Sequence, residues 1–266
     1  ALDSLGLNRR QMLEYQEQVL MDCREERSSI MTGQMNLFGG ESEAVRETPI
    51  PSLPELERSA LLQLEHESLG LYLSGHPLEQ SQWLRQLCRA TPAAALSEQP
   101  DGGKVLLIVT LQHVKQHTTK KGETMCFLTC EDQSGSADCV VFPALYNSVK
   151  PYLQQDAVLY LRGKISQKEN AVSVLCDSVL QEEAFFRTLS QGRLCVKIDS
   201  RQTAELQQLL TVIGQHAGNV PVCFYLTDRK KMLSPRGGQA VAVNSESYAA
   251  LCAVVSPEQV GFLPPA

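Results

Sequence analysis

No apolar run in the 266-residue sequence approaches the roughly 18 residues needed to cross a bilayer; the longest, 105–110 and 157–161, are far shorter. A membrane-spanning role is excluded, and secretion has no support without a basic stretch leading into an apolar one at the start. Nine cysteines are present, but no Cys-x-x-Cys, which argues against a zinc ribbon. Catalytic signatures are missing as well. There is no phosphate-gripping Gly-x-x-x-x-Gly-Lys loop, no Gly-x-Ser-x-Gly, no His-Glu-x-x-His and no pair of aspartates of the kind that holds two metals for nucleotidyl transfer. No cofactor is implied and no catalytic residue is assigned. There is no basic excess either: the formal net charge is -6. Residues 1–103 carry 8 basic and 16 acidic side chains, while 104–180 and 181–266 each carry 8 basic and 7 acidic ones. A basic footprint for duplex binding is absent. Any contact with nucleic acid is local, and the acidic first third faces protein or solvent.

What is present suits a soluble globular chain: 43% hydrophobic and 20% charged residues. Cys126, Cys130, Cys139, Cys176, Cys195 and Cys223 sit in apolar runs that read as strands, so they are expected to be reduced, buried and packed as small hydrophobes in a cytoplasmic protein. A metal held by Cys126 and Cys130 with His113 or His117 is the alternative. The chain opens Ala1-Leu2-Asp3 without an initiator Met, so a piece of a longer polypeptide is expected.

The periodicity predicts a multidomain α+β chain. Met12, Tyr15, Val19, Leu20 and Cys23 recur at helical steps over 9–30. Residues 39–52 are rich in Gly, Pro and acid and read as a linker. Ser52 and Glu55 have capping-box spacing, which predicts a helix starting at Ser52 and running until Gly75-His76-Pro77, with a shorter helix over 78–88. His76 has no catalytic partner at a supporting spacing, so His-Pro reads as a helix stop. From Lys104 the texture changes to strands at 105–114, 123–131, 136–142, 157–166 and 171–179, with a helical insert over 143–153. Five strands with a helix between the third and fourth is the order of an OB-fold barrel. Residues 194–255 read as β-α-β-β-α, a small α+β domain. The expected divisions are 1–32, a helical module; 33–52, a binding segment and linker; 53–100, a helical connector; 101–182, the OB fold; and 190–266, the C-terminal domain.

Two stretches point to binding. Gln34-Met35-Asn36-Leu37-Phe38-Gly39 puts an aliphatic and an aromatic side chain beside a Gln with no evident core to enter, as a peptide anchor would. Packing of Leu37 and Phe38 on the neighbouring helix is the bland alternative. In the first turn of the barrel, Lys115, Lys120 and Lys121 could track a phosphate backbone while Phe127, with Phe142, offers a stacking surface. Arg162 and Lys164 in the fourth strand complete the nucleic-acid candidates. Alternation puts Met125, Phe127 and Thr129 on one face and Cys126, Leu128 and Cys130 on the other; both are apolar, so either could be inside. Asp132 and Asp138 flank a turn and read as turn chemistry.

The serial order of Ala1-Leu2-Asp3-Ser4-Leu5-Gly6, Gln34-Met35-Asn36-Leu37-Phe38-Gly39, Leu69-Gly70-Leu71-Tyr72-Leu73-Ser74-Gly75-His76-Pro77-Leu78, Thr119-Lys120-Lys121-Gly122 and Glu131-Asp132-Gln133-Ser134-Gly135, leading to Val141-Phe142-Pro143 and Tyr146, resembles the C-terminal portion of bacterial replicative DNA polymerase III alpha subunits. Residues 1–182 carry the resemblance; 193–255 are similar in pattern only. It implies that 1–32 is the end of a helix-hairpin-helix-like module, that Gln34, Leu37 and Phe38 bind the sliding clamp, and that Lys115, Lys120 and Lys121 lie in the first loop of an OB domain near single-stranded template. In some members the C-terminal domain contacts the tau subunit of the clamp loader. The parent family is a DNA-directed DNA polymerase, whose catalytic aspartates have no counterpart here. A freestanding OB-fold accessory protein and a protein-interaction scaffold with a non-binding barrel are the rival readings.

Overall fold

The computed structural model describes residues 6–31, 50, 52–70, 72–168, 171–235 and 237–265. They fall into two compact units, Ala1–Ser74 and Gly75–Ala266. The segment holding Gln34, Leu37 and Phe38 lies outside the described residues.

The first unit holds α1 (Arg9–Met31) and α2 (Arg58–Leu69). The expected cap at Ser52 is not made: 52–57 have no regular structure and α2 begins at Arg58. Pro54 follows Leu53 and biases it toward extended backbone. Glu55 is used elsewhere. Its carboxylate accepts the backbone amides of Arg9 (3.1 Å) and Arg10 (3.2 Å) and so caps the other helix. These amide donors, first among them Arg9, hold its pKa below the ordinary carboxylate value. The helix also stops sooner than expected, at Gly70. There φ is +72°, and the Gly70 amide donates to the His66 carbonyl at 2.8 Å. Glycine enters that left-handed region at little cost. Gly75-His76-Pro77 lies beyond the helix, with the Leu78 amide donating to His76 Nδ1 at 3.1 Å.

The second unit begins with α3 (Gln82–Cys88), which a 3₁₀ turn precedes and another, Ala93–Glu98, follows. Five strands then close into a barrel in the order β1-β2-β3-β5-β4: β1 (Lys104–Thr118), β2 (Thr124–Asp132), β3 (Gly135–Val141), β4 (Val158–Lys168) and β5 (Ala171–Leu180). Helix α4 (Pro143–Val149) lies between β3 and β4. Closure depends on β1. Its first half pairs with β4, from Lys104 opposite Lys164 to Thr110 opposite Val158; its second half pairs with β2, with the register shifting between Leu111 and His113. Such a bulge bends a strand and lets one long strand serve both sides of the seam. The barrel interior is filled by Leu107, Val109, Leu111, Cys126, Leu128, Cys130, Cys139, Leu159 and Leu161, all buried.

The C-terminal part is a mixed sheet. Strands β6 (Arg193–Ile198) and β7 (Ala217–Leu226) run parallel through α6 (Thr203–Gln215). β8 (Lys231–Leu233) and β9 (Ala240–Val241) pair antiparallel with β7, and β10 (Val260–Leu263) with β6. Helix α7 (Ser245–Cys252) has a capping box in which Asn244 Oδ1 accepts the Ser247 amide at 2.8 Å. Three elements went unread in the sequence: α5 (Glu182–Leu189), β8 and β10.

One core joins this sheet to the outside of the barrel. It includes Leu84 and Leu87 of α3, Ile108 and Tyr160 of the barrel, Phe185 of α5, and Val196, Leu209 and Phe224 beyond it. The Tyr160 and Phe185 rings stack at 4.5 Å. The helices over 75–100 are therefore built into the packing between barrel and sheet.

Candidate nucleic-acid interface

Register settles which face of β2 is outside. Lys115, Phe127 and Val140 are directly opposite one another across β1, β2 and β3, and His117 faces Met125. Cys126, Leu128 and Cys130 point inward and are buried, while Phe127 is 42% exposed. The alternative in which Phe127 fills the barrel is ruled out. A five-stranded barrel leaves a narrow interior, which thiols and a Leu fill where a phenyl ring at the same height would overpack. The Phe127 and His117 rings meet in a T-shaped arrangement, their centres 6.2 Å apart. Phe142, at the end of β3, is 46% exposed.

The Lys115 side of this face carries the positive charge. The β1–β2 hairpin turns at 119–122, where the Thr119 amide donates to the Glu123 carbonyl at 2.8 Å and the Gly122 amide to the Thr119 carbonyl at 2.9 Å. Gly122 holds φ at +79°, which a tight turn requires and glycine permits. Lys120 and Lys121 are exposed on that turn and Lys115 is exposed on β1. At the other end of the face, Glu131 and Asp138 flank Thr129, so the surface is cationic toward the hairpin and acidic toward the β2–β3 turn.

Arg162 and Lys164 are not part of this group. They lie on the outer face of β4, opposite Leu106 and Lys104 of β1, where β4 pairs with β5 rather than β2. Arg162 is half-buried with its guanidinium 5.6 Å from the centre of the Phe185 ring. That ring belongs to α5. The sequence signal for this helix was Glu182 and Glu183 ahead of Phe185 and Phe186, acidic residues in a first turn followed by an apolar face.

Asp132 is more than a turn residue. Its carboxylate accepts the Ser134 hydroxyl, the amides of Ser134 (2.7 Å), Ala93 (3.1 Å) and Gly135 (3.2 Å), and the Arg85 guanidinium. It is 3% exposed. Burial alone would push its pKa up, but the hydrogen bonds from Ser134 and Ala93 and the Arg85 charge outweigh this and hold it below the ordinary value. The pair ties α3 and the following turn onto the β2–β3 hairpin. The buried thiols behave differently: burial pushes Cys126 up to about 11. Among the described residues no group of His, Cys, Asp and Glu is placed to hold a metal ion, and no helix is long and apolar enough to cross a membrane.

The barrel is an OB fold. Residues 105–181 match the tRNA_anti-codon family, described as an OB-fold nucleic acid binding domain. Along most of its length the chain is homologous to DNA polymerase III alpha subunits. It is 28% identical over 240 residues to that of Bacillus subtilis, covering 88% of this chain and 21% of the relative. It is 29% identical over 227 residues to that of Thermus aquaticus, covering 84% and 18%, and 26% identical over 266 residues to that of Saccharopolyspora erythraea, covering 93% and 22%. The chain thus spans about a fifth of the length of these curated relatives.

Proposed function

We propose that this chain is a non-catalytic region of a replicative DNA-directed DNA polymerase, and that its barrel guides single-stranded template. The observation that carries the reading is the exposed Phe127 directly opposite Lys115, with Lys120 and Lys121 on the adjoining hairpin. An aromatic face for bases beside cations for phosphates is how OB folds hold single strands without reading sequence. The match of residues 105–181 to an OB-fold nucleic acid binding family and the homology to polymerase alpha subunits support it. The test is titration of the chain with labelled oligo(dT) at rising salt. Binding whose logarithm falls linearly with that of salt is expected; no binding, or binding indifferent to salt, rejects the strand-guiding role and leaves the scaffold reading.

The second part of the proposal is the tether. Gln34, Leu37 and Phe38 bind the sliding clamp, with the two apolar side chains filling a pocket and the Gln amide setting register. Alone such a peptide binds weakly, because association and ordering costs offset most of its burial. On DNA already threaded through the clamp it gains from effective concentration. Changing Leu37 and Phe38 together to Ala is expected to weaken clamp binding by about 100-fold, as for loss of two anchor residues, while the thermal melt stays unchanged. A lowered melt with clamp binding intact would show that both side chains are core. Contact with the tau subunit of the clamp loader is assigned to 190–266.

A further inference from the structure

Outside the strand-binding face, a cleft of about 450 Å³ opens between α3, β1, β4, β5 and β10. Its walls bring Arg89, Lys104 and Arg162 together with Asp177, beside Leu106 and Phe262. We propose that this cleft binds a nucleotide, with the phosphates on Arg162 and Lys104, the base on the apolar wall, and a sugar hydroxyl or base amine donating to Asp177. This is independent of the single-strand face, from which the topology separates it.

Three features of the backbone build it. Opposite Arg162 lies Ser178 and opposite Gly163 lies Cys176, so Asp177 is the extra residue of a β-bulge. Bulges re-aim a side chain, and this one lines the cleft with Asp177. The bulge needs Gly163: a Cβ there would stand 2.3 Å from the Leu175 carbonyl oxygen. Arg89 follows α3 with φ at +52°, a left-handed conformation that non-glycine residues rarely adopt. In that conformation its guanidinium donates to the Glu258 carbonyl at 3.2 Å beside β10.

The charges call for an anion. Lys104 and Lys164 are directly opposite each other on neighbouring strands, a pairing of like charges that works against the sheet. Among the described residues neither is in an ion pair, and Arg162 has none with Asp177 although both line the cleft. Arg162 is instead steadied by the face of Phe185. That leaves its forked donors available to an outside acceptor, the geometry that suits phosphate. A bare phosphodiester track would gain nothing from Asp177 and would be repelled by it. A nucleotide offers both an anion for the cations and donors for the carboxylate. The volume lies in the ~300–1,000 Å³ range of small-molecule sites.

The test uses the full 266-residue chain. ATP, dATP and inorganic phosphate are titrated by calorimetry, with oligo(dT) as a separate arm, against wild type, Arg162→Gln and Lys104→Gln. Lys104 is exposed, so its variant serves where Arg162→Gln disturbs the packing on Phe185. ATP or dATP is expected to bind, and each variant to weaken it by about tenfold, the loss of one charge-assisted contact. Neutralising Lys115, Lys120 and Lys121 should leave it unchanged. Failure of both nucleotides to bind at millimolar concentration overturns the proposal, as do variants that bind like wild type. Phosphate binding as tight as ATP overturns the assignment to a nucleotide. Oligo(dT) binding that needs Arg162 while ATP does not bind assigns these cations to the strand path, and it too overturns the proposal. The nucleotide and phosphate arms do not involve Phe127 and its hairpin, so the two readings fail separately.

Discussion

Asp132→Ala is expected to destabilise the 75–266 unit by about 3–5 kcal/mol, the cost of removing one partner from a buried ion pair. The magnitude follows from what is left behind. The Arg85 side chain, 15% exposed, keeps its charge with no carboxylate. The buried Ala93 amide loses its acceptor, and an unmet buried donor costs about 1–3 kcal/mol where water cannot reach it; the Ser134 amide, on an exposed residue, loses less. For a unit of this size the midpoint of thermal unfolding should drop by about 10 °C. Arg85→Leu in the same chain should restore part of the loss, because it removes the stranded charge. A melt within about 1 °C of wild type would show that the network contributes no net stability.

The same carboxylate sets a pH dependence. Its folded value is lowered from the ordinary 3.8, so the folded state binds the proton less readily than the unfolded chain. Its contribution is complete above the ordinary carboxylate range and is lost as pH falls through the folded value. Acid unfolding curves of wild type should therefore steepen below about pH 4, and Asp132→Ala should be flatter there.

The second large effect concerns DNA. Neutralising Lys115, Lys120 and Lys121 to Gln is expected to weaken oligo(dT) binding by about 10- to 100-fold. It should also shrink the log–log salt slope by about 2, since each phosphate contact on a single strand contributes about 0.7. Phe127→Ala acts on the other half of the site. Loss of one stacked base costs about 1–3 kcal/mol and leaves the slope unchanged, because no counterion is released by stacking. All four residues are exposed, so neither change should move the melt. The dissociation between slope and affinity is the informative readout. An unaltered slope in the triple variant would remove the hairpin from the strand path.

How much of this was legible in the residues can be argued element by element. The barrel strands were readable because apolar runs bounded by Lys121-Gly122 and Ser134-Gly135 are strong local punctuation, and the helix over α4 identified the fold. The helix α2 was misplaced at both ends. Ser52 and Glu55 have capping spacing, but Glu55 answers to Arg9 and Arg10, a contact across some 45 residues that no local window contains. The strands β8 and β10 are 3 and 4 residues long and owe their pairing to β7 and β6 rather than to propensity.

The candidate site divides the same way. Residue types alone determined that this chain carries an OB barrel with a lysine-bearing first hairpin, because turn chemistry, strand alternation and charge are local properties written in order. Only the closed barrel decided that Phe127 faces out while Cys126 and Leu128 face in, since two equally apolar faces become distinguishable only when one must fill a cavity of limited width. Only the pairing of β4 with β1 and β5 separated Arg162 and Lys164 from the lysines of the hairpin, and only the bulge in β5 opposite Arg162 set Asp177 in one cleft with Arg162 and Lys104. Those are consequences of register and closure, which arise between strands and are carried by no single one of them.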